Sequence, residues 1–305
     1  MDGDLLNKYN LKNFTYRMNW EITRKCNFSC SYCVNKQGFN EFETPVFSPE
    51  EIAGFFKNTS KEWLILITGG EPFTYPNFAE VCQKLAENHY LQITSNLSLP
   101  EVYDFADIVN PQKVFMLSAS FHSLERKEKA AREEFFNKCN YLKNKGFNVV
   151  VNYITHPDSM DKMEEEIACI NNKGFETFAI ILRGMVGEKS YPEAFSENDM
   201  KIIKPHVIDF DIETKAAFGK LNYYGHKCEA GSKYFFVKPN GDVSRCATLQ
   251  KKIGNLFDGT IVSDKQELPC IANNCNDVYC GLASVLPQKA NRFRINKEKK
   301  KYNNL

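Results

Sequence analysis

Three cysteines occur within eight residues, directly after a segment that is typical of a β-strand. They are Cys26, Cys30 and Cys33 in the stretch CNFSCSYC. Thiolates are soft ligands that select zinc, copper(I) or iron–sulfur clusters. A structural zinc ion takes four protein ligands, whereas this stretch supplies three and has no histidine close by. A cubane iron–sulfur cluster on three thiolates leaves one iron free to bind another molecule, so the spacing favours a cluster.

A second group of five cysteines lies in the last quarter of the chain. The first two bracket the stretch CEAGSKYFFVKPNGDVSRC, in which the turn PNGD separates two strand-like runs. Asn-Gly between such runs indicates a β-hairpin. Four thiolates also suit a zinc ion, so a zinc-binding hairpin is the alternative to a cluster here. The members of this group are Cys228, Cys246, Cys270, Cys275 and Cys280.

The composition narrows the class of protein. The chain has 305 residues, a net charge of +1 and 11 cysteines. The balanced charge gives no reason to expect nucleic acid or a membrane as partner, and the polar start of the chain argues against a secretory signal. We therefore expect a cytoplasmic protein, in which disulfides are rare and metal ligation is the better use of many cysteines. Cys82, Cys139 and Cys169 lie in helix-like segments, where we expect them to pack as small hydrophobes.

Strand and helix patterns alternate along the first two thirds of the chain. Ser48 and Pro49 mark one helix start and Gly146 marks a helix end. Such alternation predicts an α/β fold with a parallel sheet, and six units are too few for a closed eight-unit barrel, so we expect a partial (β/α)6 TIM-like barrel. The predicted strands are 16–23, 62–68, 90–96, 113–120, 147–155 and 177–184. The predicted helices are 48–58, 77–88, 100–107, 125–144, 159–173 and 196–205.

Distinctive polar residues follow several of these strands. The cysteine stretch follows the first strand, TGGEP (68–72) the second, TSN (94–96) the third, SASFHS (118–123) the fourth and RG (183–184) the sixth. Parallel α/β barrels carry their chemistry in the loops at the carboxyl ends of the strands. We therefore expect all of these residues to meet at one mouth of the barrel and to form an active site.

These motifs resemble those of a known superfamily. The pattern C-x3-C-x-aromatic-C, with Tyr32 as the aromatic residue, is similar to the signature of radical S-adenosylmethionine (SAM) enzymes. GGEP resembles the second motif of that superfamily and follows the second strand, as it does there. The partial six-unit barrel is the usual fold of the superfamily, and the resemblance covers roughly residues 14–205.

The resemblance implies roles for individual residues. Cys26, Cys30 and Cys33 would ligate three irons of a [4Fe–4S] cluster, and the fourth iron would bind the amino and carboxylate groups of SAM. Glu71 would meet the SAM amino group. The other residues expected at the SAM site are Gly69, Gly70, Pro72, Tyr32, Ser95, Asn96, Ser118, Ser120 and Arg183. The serines and Asn96 could instead cap helices, and Arg183 could form a rim ion pair.

The same resemblance implies the reaction type. A reduced cluster would cleave SAM into methionine and a 5′-deoxyadenosyl radical, which would abstract hydrogen from a C–H bond. The protein would position that bond and exclude water. His122 is a candidate acid–base group facing the substrate, although a loop histidine often has no chemical task. A flavodoxin- or ferredoxin-type protein is the expected reductant.

The C-terminal cysteines resemble the twitch or SPASM extension of radical SAM enzymes, which holds auxiliary [4Fe–4S] clusters. Five thiols are too few for two clusters, so we expect one auxiliary cluster and one spare thiol. Cys228 and Cys246 are its expected ligands, with two of the three later cysteines. The spare thiol, for which Cys275 and Cys280 are candidates, could return a hydrogen atom and give epimerisation. Without such a donor, electron transfer to the auxiliary cluster would give dehydrogenation.

These expectations divide the chain into three parts. A radical SAM partial barrel spans 1–210, a small auxiliary-cluster domain of a β-hairpin plus helix spans 211–290, and a basic, disordered tail spans 291–305. No run of apolar residues is long enough to cross a membrane.

The substrate is the least constrained expectation. Only 25 residues precede Cys26, which disfavours a fused peptide-recognition domain, and the polar mouth suits a hydroxylated substrate. We therefore expect dehydrogenation or epimerisation of a small polar metabolite or carbohydrate. The alternative is a peptide-modifying maturase that forms thioethers or epimerises residues. A non-catalytic redox or metal sensor is disfavoured by GGEP, since an electron carrier has no use for a SAM site.

Overall fold

A computed structural model describes residues 14–33, 44–207 and 210–275 of the chain. Six strands alternate with helices through the first two thirds of it, as the sequence predicted. The bounds of these strands are β1 Tyr16–Thr23, β2 Trp63–Gly69, β3 Tyr90–Ser95, β4 Val114–Phe121, β5 Val149–Ile154 and β6 Glu176–Ile180. The helices are α1 Pro49–Lys57, α2 Phe78–Ala86, α3 Glu101–Ile108, α4 Lys129–Asn144, α5 Met163–Asn172, α6 Glu197–Ile203 and α7 Phe210–Ala217.

The six strands lie side by side in chain order, and every neighbouring pair is parallel. Parallel strands joined in sequence by helices form the open barrel that the alternating pattern predicted. The α/β fold class and the partial (β/α)6 architecture are therefore confirmed. Strand β2 is buried on both faces over its first five residues, which accounts for its continuous apolar sequence.

The two faces of each strand have different surroundings. On β1, Met18, Trp20 and Ile22 belong to the large core that also contains Ile52 and Phe56 of α1. Residues alternate between the faces of a strand, so Arg17 and its alternate neighbours face the inside of the barrel. The outward face carries the main apolar core between sheet and helices, and the inward face carries a smaller apolar cluster that includes Leu64 and Leu66 of β2.

Three further strands continue the sheet beyond β1. They are β10 Tyr234–Val237, β11 Asp242–Ser244 and β12 Lys252–Asn255, and the full order is β12-β11-β10-β1-β2-β3-β4-β5-β6. Strand β10 is parallel to β1, with Met18 opposite Phe235. The predicted hairpin at PNGD is present, with Gly241 at φ 81° between β10 and β11. The C-terminal hairpin thus extends the sheet of the barrel.

Several local signals act as the sequence predicted. The Ser48 side chain accepts a hydrogen bond from the Glu51 amide, and the Glu51 carboxylate accepts one from the Ser48 amide, so α1 begins with a full capping box. Gly146 follows α4 at φ 93°, a conformation that a glycine adopts without a Cβ penalty. Both helix boundaries were therefore readable from single residues.

Three predicted boundaries were wrong. The helix expected from residue 125 begins at Lys129, because Glu128 is extended and a short 3₁₀ turn, Ser123–Arg126, precedes it. The last barrel strand ends at Ile180, because the Leu182 amide donates to Thr155 Oγ1 over 3.0 Å instead of continuing the ladder. Helix α5 begins at Met163, after a 3₁₀ segment at Pro157–Lys162.

Several short elements had no clear signal in the sequence. A small hairpin follows β6, with strands β7 Gly184–Val186 and β8 Lys189–Tyr191. Strands β9 Lys227–Cys228 and β13 Leu268–Pro269 form a separate antiparallel pair. Helix α7 lies at the start of the 211–290 part, in which a helix was expected without bounds. The 291–305 tail and Cys280 lie outside the described residues. None of the helices in the described part of the chain has the length and apolar character that crossing a membrane requires.

Candidate active site

A cavity of about 330 Å³ opens where the carboxyl ends of the barrel strands meet. Polar residues from five different loops line it, and apolar side chains after β5 and β6 complete its wall. The predicted residues on this wall include Cys26, Cys30, Cys33, Gly70, Glu71 and Arg183. Tyr32, Gly69, Ser95, Asn96, Ser120 and His122 also line it. The sequence thus correctly predicted which loops converge.

The three N-terminal cysteines share this cavity but differ in exposure. Cys26 is exposed, Cys33 is intermediate and Cys30 is buried. Burial raises the pKa of the Cys26 thiol, and it raises the pKa of Cys30 to about 12. Without a metal the thiols of Cys26 and Cys30 are therefore neutral, and bound iron would have to displace their protons.

The three thiols line the wall of one cavity. They can therefore act together as ligands of one metal centre, and thiolates are the ligands that hold iron–sulfur clusters. In the described part of the chain, no three His, Cys, Asp or Glu side chains are arranged to hold one metal ion.

Gly69 and Gly70 bring the loop after β2 against the chain that leads into the cysteine motif. The Gly70 amide donates to the Thr23 carbonyl and the Glu71 amide to the Lys25 carbonyl, both over 2.8 Å. A Cβ on Gly70 would collide with the Lys25 carbonyl oxygen. The glycines are thus required for contact between the two motif loops.

The Glu71 carboxylate is only 1% exposed and is engaged by three protein donors. It accepts hydrogen bonds from Ser95 Oγ at 2.7 Å, from the Asn96 amide at 2.7 Å and from the Phe73 amide at 3.2 Å. Burial raises its pKa to about 7, and these hydrogen bonds oppose the shift. The carboxylate therefore joins the ends of β2 and β3 as well as lining the cavity.

The residues after β3 do not cap the next helix. The Ser95 hydroxyl donates to Glu71 and accepts from the Leu97 amide at 2.9 Å. Asn96 Nδ2 donates to Asn27 Oδ1 in the cysteine loop over 3.1 Å. Helix α3 has Pro100 at its N-cap and no side-chain cap. The helix-capping alternative for Ser95 and Asn96 is thus wrong.

The predicted residues on β4 lie at different depths. Ser120 lines the cavity, whereas Ser118 is buried two residues earlier on the same strand face. Pro72 begins a 3₁₀ turn, Pro72–Thr74, and is buried beside the cavity. Neither Ser118 nor Pro72 is among the cavity-lining residues, so a direct contact with a ligand is expected only of Ser120.

His122 lies against the cysteine motif. Its Nδ1 is 2.9 Å from the Tyr32 hydroxyl and 3.9 Å from Cys30 Sγ. Burial and the nearby Arg126 guanidinium lower its pKa to about 3. The imidazole is therefore neutral near pH 7 and cannot act as a general acid there. Its contact with Tyr32 suggests that it orients the aromatic residue of the motif.

Two charged residues of the site were missed. Arg126 is 2% exposed; it donates to the Asn96 carbonyl, and its guanidinium carbon lies 5.1 Å from the centre of the Phe28 ring. Burial lowers its pKa to about 10. Glu213 on α7 is 6% exposed and lines the cavity. Both occur in charged helical segments whose pattern gives no sign of burial.

The C-terminal cysteines form a second group near the inside of the barrel. Cys228, Cys246, Cys270 and Cys275 line one small cavity of about 20 Å³. Buried Cys228 packs with Leu64 and Leu66 of β2, on the face opposite the main core. Burial raises the pKa of the Cys228 thiol. Four of the five predicted thiols thus lie together.

The scattered cysteines divide into two kinds. Cys82 and Cys139 are fully buried in the main core, as the sequence predicted. Cys169 is exposed on α5, so the prediction that it packs inside was wrong. Residues on an amphipathic helix can fall on either face within one turn, and Cys169 lies on the solvent side.

Comparison with protein families gives the class of this chain. The family model of the Radical SAM superfamily matches residues 20–170. That range contains the three N-terminal cysteines, GGEP, the second half of β1 and the strands β2 to β5. Over this range the chain matches the radical SAM superfamily, and this match implies a [4Fe–4S] cluster and SAM as cofactors.

Individual relatives are similar to this chain at low sequence identity. The chain is 25% identical over 267 residues to the antilisterial bacteriocin subtilosin biosynthesis protein AlbA of Bacillus subtilis (strain 168), covering 78% of this chain and 56% of AlbA. It therefore spans little more than half of that relative. The structure of SuiB from Streptococcus suis bound to S-adenosylmethionine superposes with a TM-score of 0.56 at 16% identity, covering 84% of this chain and 66% of SuiB. SuiB has also been solved bound to the precursor peptide SuiA.

A third relative has a peptide and SAM bound together. The structure of anSMEcpe with bound AdoMet and Kp18Cys peptide has a TM-score of 0.56 at 16% identity, covering 80% of this chain and 78% of that one. At such identities the two solved structures show that the fold is shared.

Proposed function

We propose that this protein is a radical SAM enzyme that modifies a peptide. The observation that carries the chemistry is the meeting of the three N-terminal cysteines with the GGEP loop at one cavity. The substrate class is supported by the bacteriocin-biosynthesis relative and by the two solved structures with bound peptides. These findings favour the peptide alternative over the small polar metabolite that we expected from the sequence.

Different residues of the cavity would bind the cluster and SAM. Cys26, Cys30 and Cys33 would hold three irons of the cluster, since all three line the same cavity. When bound, the cluster supplies the electron that cleaves SAM and so generates the 5′-deoxyadenosyl radical. Arg183 offers a bidentate donor for a carboxylate, and Ser120 offers a hydroxyl from the next layer of the barrel.

Glu71 has two tasks in this proposal. Its carboxylate holds the loop after β3 through Ser95 and the Asn96 amide, and it presents a negative charge to the SAM ammonium group. A bound ammonium would oppose the burial that raises the pKa of Glu71, and so would favour the ionised form. SAM binding and ionisation of Glu71 therefore strengthen one another.

The apolar part of the cavity would shield the radical from water. Ile154, Ile180, Ile181 and Leu182 form one side of the wall. Apolar side chains exclude water and so limit side reactions of a reactive intermediate. A peptide side chain entering the mouth would thus meet the reactive carbon in a dry setting.

The four C-terminal cysteines hold an auxiliary [4Fe–4S] cluster in this proposal. Their shared cavity supports Cys270 and Cys275 as the partners of Cys228 and Cys246, which leaves Cys280 as the spare thiol. Zinc is the competing metal. The match of the barrel to the Radical SAM superfamily favours the cluster over zinc.

The test is anaerobic incubation of the reconstituted, reduced protein with SAM and candidate peptides, including precursor peptides encoded beside the gene. Mass spectrometry should detect 5′-deoxyadenosine and a changed peptide. A loss of two mass units indicates a thioether or dehydrogenation, and one deuterium gained in heavy water indicates epimerisation. Turnover of sugars or aminocyclitols with no change in any peptide would overturn the peptide assignment.

A further inference from the structure

A second cavity, of about 500 Å³, lies at the end of the sheet opposite to the SAM cavity. Tyr16 at the start of β1 and Lys61 just before β2 line one side of it. Residues before β10 and around β13 line the other side. Because β1, β2 and β10 are parallel, these starts share one end of the sheet. None of the residues that line the SAM cavity lines this second cavity.

The cavity has an excess of positive charge. Four lysines line it, against the two carboxylates of Asp264 and Glu267. Glu267 is paired with Lys233 at 3.0 Å, and Asp264 lies 3.5 Å from Arg245. The remaining three, Lys61, Lys227 and Lys265, form no ion pair with any carboxylate in the described part of the chain. Lys227 and Lys265 are exposed, and the Lys61 ammonium lies 4.3 Å from the centre of the Tyr16 ring, so none of these three charges is neutralised by a carboxylate in the described part of the chain.

This charged surface adjoins the C-terminal cysteines. Lys227 is exposed and its neighbour Cys228 is buried, both on β9. Strand β13 pairs with β9, and Cys270 follows β13 directly. Glu229, after Cys228, lies 4.0 Å from the Lys233 ammonium and also pairs with the buried Arg17 of β1. One short stretch of chain thus has its cations at the surface and its thiols inside.

We propose that this lysine-lined cavity is the docking surface for an acidic electron-transfer protein of the flavodoxin or ferredoxin type. The inference rests on the proposed function, which requires one electron for each SAM cleaved. The partner would be oxidised by one electron and the docked enzyme reduced by one. Charge complementarity speeds encounter between such partners without needing a large apolar interface, and redox complexes have small contact areas.

The position favours a reductant over an acidic peptide substrate. Strand β1 has eight residues, so the two ends of the sheet lie about 25 Å apart at roughly 3.3 Å per residue. A peptide held among these lysines would have to run that distance to bring its reacting residue to the SAM cavity. A reductant docked here leaves the mouth free, so both partners can bind at once.

The experiment compares two triple variants of the anaerobically reconstituted protein. One is Lys61→Glu, Lys227→Glu and Lys265→Glu. The control is Lys57→Glu, Lys173→Glu and Lys201→Glu, an equal change of charge at exposed lysines elsewhere. The probe is an acidic flavodoxin in its hydroquinone form. Titration gives its Kd, and stopped-flow spectroscopy gives the rate at which it reduces the protein, divided by the rate with dithionite.

We expect the first variant to raise the Kd and lower the rate ratio at least tenfold, and the control to change both less than twofold. In the wild type, added salt should steadily raise the Kd and lower the rate ratio. Equal effects in the two variants, or none in the first, would overturn the docking surface. The docking surface would also be overturned if the first variant no longer bound an acidic peptide but still bound flavodoxin. Failure of the dithionite-reduced wild type to cleave SAM would instead defeat the proposed function, since flavodoxin binding is measured separately.

Discussion

Ser95 donates a hydrogen bond of 2.7 Å to the carboxylate of Glu71, and this contact joins the ends of two neighbouring strands. Both residues are buried, and both line the cavity that we assign to SAM. The contact uses the side chains of two motifs that lie 24 residues apart in the sequence. The loop after β2 and the loop after β3 are therefore held together, and a change in either should disturb the whole wall.

Ionisation of Glu71 should make the stability of the cofactor-free protein fall with rising pH. Its pKa is raised from 4.5 to about 7 by burial, so the folded state binds the proton more tightly than the unfolded state does. The stabilising effect is full below about pH 4.5 and is lost as the pH rises through about 7, a difference of about 3 kcal/mol.

Glu71→Gln removes this titration. Chemical denaturation of the wild type and the variant at several pH values between 4.5 and 8 measures the difference. The variant should show a flatter dependence over this range and should bind SAM more weakly at every pH. An identical pH dependence in both proteins would show that Glu71 is not the titrating group.

Replacing Arg126 should loosen the cavity. Arg126→Met leaves the Asn96 carbonyl without its guanidinium donor, and we expect the free energy of unfolding to fall by about 3 kcal/mol. Arg126→Lys keeps the charge but not the planar fork, so it should recover only part of the loss. Lys127→Met, at an exposed neighbouring position, is the control. Denaturation curves measure the free energy of unfolding of each variant. Equal values for Arg126→Met and the control would contradict the predicted role of Arg126.

His122 should contribute no ionisation to the pH profile of SAM cleavage. Its pKa of about 3 keeps the ring neutral between pH 5 and 8. His122→Asn retains a hydrogen-bonding partner for the Tyr32 hydroxyl and should keep most of the activity, whereas His122→Leu should lose it. A limb near pH 6.5 in the wild type that disappears in His122→Asn would restore the acid–base role.

The C-terminal cysteines should hold about half of the iron. Cys228→Ala with Cys246→Ala should lower the iron content from about eight to about four per chain, because each cubane contains four irons, while SAM still binds. Cys169→Ala is the matched control, since that thiol is exposed and distant in sequence from both groups. Iron analysis and a SAM titration measure the two effects. Unchanged iron would defeat the auxiliary cluster, and bound zinc would identify the competing metal.

Local patterns in the sequence predicted the fold well. Alternating strand and helix signals fixed the order of β1 to β6, and the position of each motif after its strand placed the cysteines and GGEP at one cavity. These features depend on residues near one another in the chain, such as Ser48 with Glu51 at the start of α1.

Contacts between residues that are far apart in the chain could not be predicted from these local patterns. Strand β10 pairs with β1 although more than 200 residues separate Met18 from Phe235, and nothing local encodes this pairing. Arg126 is buried because it packs near Phe28 and Phe135 from other segments. Its own sequence, LERKEK, reads as a solvated turn. The partners of Glu71 were hidden for the same reason.

The central claim is tested most directly by SAM cleavage in the reduced, reconstituted protein, compared with a variant in which Cys26, Cys30 and Cys33 are alanine. The wild type should form 5′-deoxyadenosine, and the variant should form none while losing about half of the iron. Cleavage at the wild-type rate by the triple variant would contradict the assignment of these cysteines to the cluster that binds SAM.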